Sequence, residues 1–388
     1  MGIADLQIEL EQLLRGCNAN DDEVQAVSEL TKGYVERMNI LNFLKKNPQT
    51  TIQKVVEKAK FFQMTEEFVL SLEEYPPNFR KAKELLEKGV DINFEGYDDE
   101  LLISDLIMGY PVQKAMNPCM ICEEYDRCDD NSCDKTKVAY DSRYLPDVIR
   151  FFLECGYDVT KGDGRFGAEA LHSLCWSTYD KTMLEAAKIL LDAGADPQYP
   201  VDDGEDVFAS INWKLCGCIP VDEDLEMECL YTAYYDIADA KTKGLDFNKI
   251  QWWDAIVGKR IDQVISCAPS QEEAVFEFAT GGHQYSDCFK SDLALLCEGI
   301  TLIVTHYCHA YVNPCKVPDN PVDLNQKLGT LIGCRIVDVQ FSLRHAVRGN
   351  TGRHGSTLKI LLDNGKTFVV RDNGDQFDEE YCAWFSIE

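Results

Sequence analysis

What the chain lacks narrows the field first. No apolar run approaches the ~20 residues that a membrane-crossing helix needs, so no membrane partner is expected. Met1-Gly2-Ile3-Ala4-Asp5-Leu6 carries no basic stretch, so no secretory signal is expected. Leu6 also breaks the myristoylation pattern that Gly2 begins. Basic residues are scarce: 38 Lys+Arg stand against 67 Asp+Glu, a net charge of −29. Residues 251–388 hold 12 Lys+Arg against 18 Asp+Glu, a balance of −6, which leaves −23 for residues 1–250. A surface of that sign repels phosphate backbones and attracts basic partners, so the partner class is protein and not nucleic acid. Nucleophile elbows, metalloprotease helices, dinucleotide fingerprints and kinase loops are all missing. No catalytic residue is assigned, and a non-enzymatic protein is expected.

What is present is a chain of 388 residues, 45% hydrophobic and 27% charged, a length that suits two or three domains. Seventeen cysteines is a high count. Several, such as Cys155, Cys175 and Cys297, sit in apolar stretches where a free thiol behaves as a small hydrophobe. Together with the unsuited length, this points to a reducing, cytoplasmic setting and not to a disulfide scaffold.

Residues 1–77 read as a helical cap. Leu6, Ile8, Leu10, Leu13 and Leu14 give one apolar stripe. Ile40, Leu41, Phe43 and Leu44 give another, stopped by Asn47-Pro48. Thr50 or Thr51 is placed to cap the next helix.

A repeated ending follows. Lys83 to Asn93, Arg150 to Thr160, Lys188 to Gln198 and Ala240 to Asn248 each run from an amphipathic segment into Gly-x-Asp, at Gly89, Gly156, Gly194 and Gly244. A residue just past a helix end favours positive φ, which glycine enters at low cost. Gly167-Ala-Glu-Ala-Leu-His172 resembles the Gly-x-Thr-Pro-Leu-His opening of the ankyrin repeat, with Thr and Pro replaced, and Gly204 to Ala209 is a weaker echo. The resemblance spans about residues 78–248 and implies antiparallel helix pairs stacked as a solenoid that binds protein. It also implies that His172 orders a turn by hydrogen-bonding backbone. The family period is about 33 residues. The glycine spacings here are 67, 38 and 50, and the first is either two periods or, as the favoured reading, one period carrying an insert at residues 117–135. Trp176, Trp213, Tyr231, Tyr234 and Tyr235 are the aromatic candidates for a partner-binding face, with core packing the competing role for at least half of them.

The insert holds Cys119, Cys122, Cys128 and Cys133, spaced C-x2-C-x5-C-x4-C. Four thiols in a short polar loop suit a structural zinc, because a tight turn presents the first two sulfurs to one ion and the closed set leaves no open position. An empty loop and an iron–sulfur cluster are the alternatives. His306, Cys308, His309 and Cys315 form a weaker set, scattered over both faces of a strand. Cys216 and Cys218 are weaker still.

From Gln251 the period becomes alternating. Gly258 to Ile265 matches Gly333 to Gln340, and Ser291 to Val304 matches Ser356 to Val369. Residues 251–388 are therefore expected to form a β-rich sandwich or barrel of two related halves, with a type I′ turn at Asn364-Gly365. Between two of these strands, Arg344, Arg348 and Arg353 lie in a glycine-rich loop that suits an anion, or is a plain hairpin tip. The fold class is thus α + β and multidomain. The leading function is protein–protein interaction. An acidic immunity- or antitoxin-like inhibitor of a basic toxin or nuclease is the alternative, and a hydrolase housed in the β domain is a third.

Overall fold

A computed structural model describes residues 3–32, 34–96, 101–109, 142–177, 180–201, 204–215, 225–268, 276–280, 284–289, 291–305, 309–317, 320–343, 356–372 and 383–388. The chain is a mixed α + β protein with two antiparallel sheets. It divides into two compact units, Met1–Thr178 with Ala193–Ala195, and Tyr179–Asp192 with Asp196–Glu388. The division falls inside the segment read as repeats: the last helices belong with the sheets.

The first unit opens with α1 (Ile3–Gly16), α2 (Asp21–Leu30), α3 (Tyr34–Lys46) and α4 (Ile52–Glu73). Leu6, Leu10 and Leu14 recur at four-residue spacing and are fully buried with Val27, Ile40, Val55 and Ala59. Ile8, read as part of that stripe, is 57% exposed, because it falls on the opposite face of α1. Asn20 and Glu23 form a reciprocal capping box at the start of α2. Thr51 occupies the N-cap of α4 without a side-chain cap bond.

Next come α5 (Phe79–Glu87), α6 (Leu102–Gly109), α7 (Leu145–Glu154) and α8 (Arg165–Ser177). Within this unit α4 packs on α5 and α6, and α6 packs on α8. In the second unit α9 (Thr182–Asp192) and α10 (Val207–Trp213) both pack on α11 (Leu225–Thr242). Gly89, Gly156, Gly194 and Gly244 follow the ends of α5, α7, α9 and α11, and all four have positive φ, between 67° and 107°. At Gly89, Gly156 and Gly244 the glycine N–H and the next N–H reach back to helix carbonyls in the Schellman pattern. The aspartate two residues on has its own mechanical role. Asp91, Asp158 and Asp196 each accept the N–H two residues later through Oδ1 at 2.9 Å, which turns the chain out of the helix.

The sheets fill the rest of the second unit. One has the order β1 (Gln251–Trp252), β7 (Ala310–Val312), β6 (Ile300–Val304), β5 (Leu293–Cys297), β2 (Ile261–Ser266), β8 (Val322–Asp323). The other has the order β3 (Phe276–Thr280), β4 (Gln284–Phe289), β12 (Ala383–Ile387), β11 (Thr367–Asp372), β10 (Ser356–Leu362), β9 (Ile336–Leu343). Both are open, so the barrel alternative is not seen among the described residues. One apolar core is shared by the two sheets.

The meander β2-β5-β6-β7 corresponds strand by strand to β9-β10-β11-β12. The core-facing row Val264, Leu295, Leu302, Val312 has its counterpart in Val339, Ile360, Phe368, Ile387. The two halves exchange reciprocal bonds where they meet. Gly258 N–H donates to Ile336 O at 2.7 Å and Gly333 N–H to Ile261 O at 2.8 Å, while Ile261 and Ile336 N–H donate to Cys334 O and Lys259 O, each at 2.9 Å. Arg260 and Arg335, equivalent in the sequence match, pair across the resulting antiparallel bridge. Each half also interrupts its first ladder at the same place, by a register shift at Asp262 in β2 and at Val337 in β9.

The hairpin expectation needs one correction. The two-residue loop with both φ positive is Glu298-Gly299, at 40° and 89°. At the other hairpin Gly365 has φ 81°, but Asn364 is not among the described positive-φ residues. Leu362 N–H instead bonds Lys366 O, giving a loop one residue longer. Asp363 is tied to Arg335 in both directions, its N–H to Arg335 O and its Oδ1 accepting Arg335 N–H, each at 3.0 Å. Within the loop Gly365 N–H donates to Leu362 O at 3.0 Å.

Candidate functional site

Two constellations stand out, one in each unit. In the first, consecutive turns touch. Asn93 Oδ1 accepts Asp158 N–H at 2.9 Å, and Asn93 Nδ2 donates to Gly156 O at 3.0 Å. Lys161 Nζ donates to Asn93 O at 3.0 Å. The turn after α5 is thereby fastened to the turn after α7. One step further, Gly167 N–H donates to Val159 O at 2.9 Å. A Cβ at Gly167 would lie 2.8 Å from Ala195 Cβ and 2.9 Å from both Ala195 Cα and Val159 O, so backbone packs where a side chain would stand. Arg165, at the start of α8, bridges Glu95 at 2.5 Å and Glu169 at 2.7 Å. Tyr157 OH donates to Phe166 O at 2.9 Å, and burial, with Glu169 adding to it, pushes its phenol well above the ordinary tyrosine range.

In the second unit, one face of α11 reads along β7. Cys229, Thr232 and Asp236 share that face by their spacing of three and four residues. Cys229 Sγ accepts Ala310 N–H at 3.4 Å, and Thr232 Oγ1 hydrogen-bonds His309 Nδ1 at 3.0 Å. Asp236 Oδ2 accepts both Tyr311 OH at 2.6 Å and Asn313 Nδ2 at 2.7 Å. Lys316 Nζ completes the group, 2.9 Å from Asp292 Oδ2 and 3.6 Å from Asp236 Oδ2, and donates to Tyr311 OH at 2.8 Å. The two carboxylate side chains are 13% and 12% exposed. An ion pair this dry holds only when its lone pairs and protons are satisfied, and the Lys316 ammonium, the Tyr311 phenol and the Asn313 amide are among the groups that serve the carboxylates.

The proton states follow. Burial works against the Lys316 ammonium, but Asp236 and Asp292 outweigh it and raise its pKa. Burial first, then the same two carboxylates, hold the Tyr311 phenol well above its ordinary value. Cys267 is pushed up to about 11 by burial and Asp292. At neutral pH the lysine stays charged and the phenol and thiol stay protonated. Such a group can fasten a helix to a sheet; its thiol and phenol are poor nucleophiles.

The outer face of the first sheet explains the docking. Ile265, Ala294, Ile303 and Tyr311 form one row across it, each at most 1% exposed. The equivalent row of the other half is Gln340, Lys359, Val369 and Ser386. Only Val369 of these is fully buried. The related halves share their core rows and diverge on the outer row; α11 lies along β7 of the first half and also touches β9 of the second.

Of the aromatic candidates, Tyr231 and Tyr234 are fully buried in α11 and belong to the core, so they present no surface. Tyr235 is half-buried, edge-on to Phe208 at 5.1 Å. Trp176 is half-buried, and its Nε1 donates to His172 Nε2 at 3.3 Å, one helical turn away. Trp213 is 49% exposed at the end of α10, with Lys214 Nζ 5.8 Å from its ring. His309 is buried and Cys315 half-buried, with Cys315 Sγ donating to Asp246 O at 3.6 Å. Cys119, Cys122, Cys128, Cys133, Arg344, Arg348, Arg353, His306, Cys308, Cys216 and Cys218 lie outside the described residues. Among the described residues no group of three His, Cys, Asp or Glu is placed to hold a metal ion, and no helix is long and apolar enough to cross a membrane.

Asn93, Asp236, Asp292, Tyr311 and Lys316 were not singled out by sequence. Asn93 carried a faint signal, as the last residue of the first repeated ending. The others are polar residues up to 80 positions apart, and no local pattern joins them. The chain matches no protein-family model, no curated protein and no solved structure.

Proposed function

We propose that this is a binding protein, in which ankyrin-like helix pairs stack as a solenoid and offer a continuous face to a protein partner. The supporting observation is the Asn93 bridge to Gly156 and Asp158, which ties the turns of successive helix pairs together. Repeats fastened in this way bury their apolar sides against neighbours and leave an extended surface for a ligand. Trp213 is the most exposed of the aromatic candidates for that surface, with Trp176 and Tyr235 less so. The balance of −23 in residues 1–250 favours a basic partner and fast association with it. In this proposal Cys119, Cys122, Cys128 and Cys133 close around one structural zinc in a reducing, cytoplasmic setting, and Arg344, Arg348 and Arg353 form an anion-holding loop.

The same acidity motivates a second reading, an inhibitor that sequesters one basic toxin or nuclease. Affinity capture with the full chain from its native cell lysate, followed by titration calorimetry with each purified candidate, separates the two. One tight basic partner favours the inhibitor, and several unrelated partners favour a scaffold. Saturable binding to none would overturn both.

A further inference from the structure

We draw no further inference here: the strongest candidate, the half-exposed Trp213 surface at the end of α10, carries nothing because nothing in the structure shows what covers it.

Discussion

The side chain of Asn93 holds the backbone of Asp158 as a neighbouring strand would: its Oδ1 accepts the Asp158 N–H at 2.9 Å while its amide donates to the carbonyl two residues earlier, at Gly156. One amide thereby couples two turns that are 65 residues apart in the chain.

Asn93→Ala removes both bonds but leaves the exposed partners to water. The expected loss is about 1 kcal/mol, because the freed groups are not stranded in a dry site. Urea unfolding followed by circular dichroism checks the size. Amide exchange at Asp158 should speed up in the variant. An unchanged Asp158 exchange rate would show that the bridge does not hold in solution.

Gly167→Ala puts a methyl group where Ala195 Cα and the Val159 carbonyl already stand. Both obstacles include backbone, so a side chain cannot simply rotate away. A cost of about 1–3 kcal/mol is expected. The control is Gly204→Ala, a position with open space but positive φ, where only backbone strain is paid. If Gly167→Ala melts at the wild-type temperature, the close approach is not real.

Lys316→Met removes the ammonium that bridges Asp236 and Asp292. A destabilisation of about 3 kcal/mol is expected at pH 7, since breaking a buried pair strands the remaining charge. Chemical unfolding of the variant beside wild type at pH 7 tests the size. A variant as stable as wild type would contradict the geometry.

Alkaline titration gives a further test. Tyr311 and Lys316 both have raised pKa values in the folded state. Groups of this kind contribute stability that is complete below their unfolded values, about 10, and is lost as the pH rises through the folded ones. Tyr157, in the other unit, behaves in the same way. Phenolate absorbance should therefore show Tyr157 and Tyr311 ionising only as the protein unfolds. Replacing Tyr311 with Phe should remove one of them. A wild-type titration in which every tyrosine ionises near pH 10 would rule out this burial.

The zinc proposal is tested by metal analysis of protein purified under reducing conditions, with one zinc per chain expected. Chelation should then free four thiols for alkylation and leave the helix content unchanged, because the helices have cores of their own. A stoichiometry near zero with all four thiols already reactive would leave an empty loop.

Much of the local architecture was legible in the sequence because it rests on short-range chemistry. Gly89, Gly156, Gly194 and Gly244 mark helix ends because the left-handed turn there excludes a Cβ at little cost only for glycine. The alternation of Val264, Leu295 and Leu302 places them on one face of a sheet, and the match to Val339 and Ile360 carried the second half with it. The turn type at Asn364-Gly365 was misread because Asp363 is tethered to Arg335, a contact 28 residues away that no turn propensity contains. The docking of α11 was also hidden. Its buried residues, among them Cys229, Leu230, Tyr231, Ala233, Tyr234, Ile237, Ala238 and Ala240, cover more than one side of the helix. That is the mark of a helix packed on several sides, here against α9, α10 and β7, and no spacing within the helix reveals that Asp236 lies beside Tyr311.

The central claim is that the stacked helix pairs bind a protein partner. Its most direct test is equilibrium titration calorimetry of the full chain against the basic protein it captures, run beside Trp213→Ala, with circular dichroism confirming that both are folded. The account predicts saturable binding of wild type, weakened at least tenfold in the variant and weakened further as salt is raised. Identical affinities for the two proteins, or binding indifferent to salt, would contradict it.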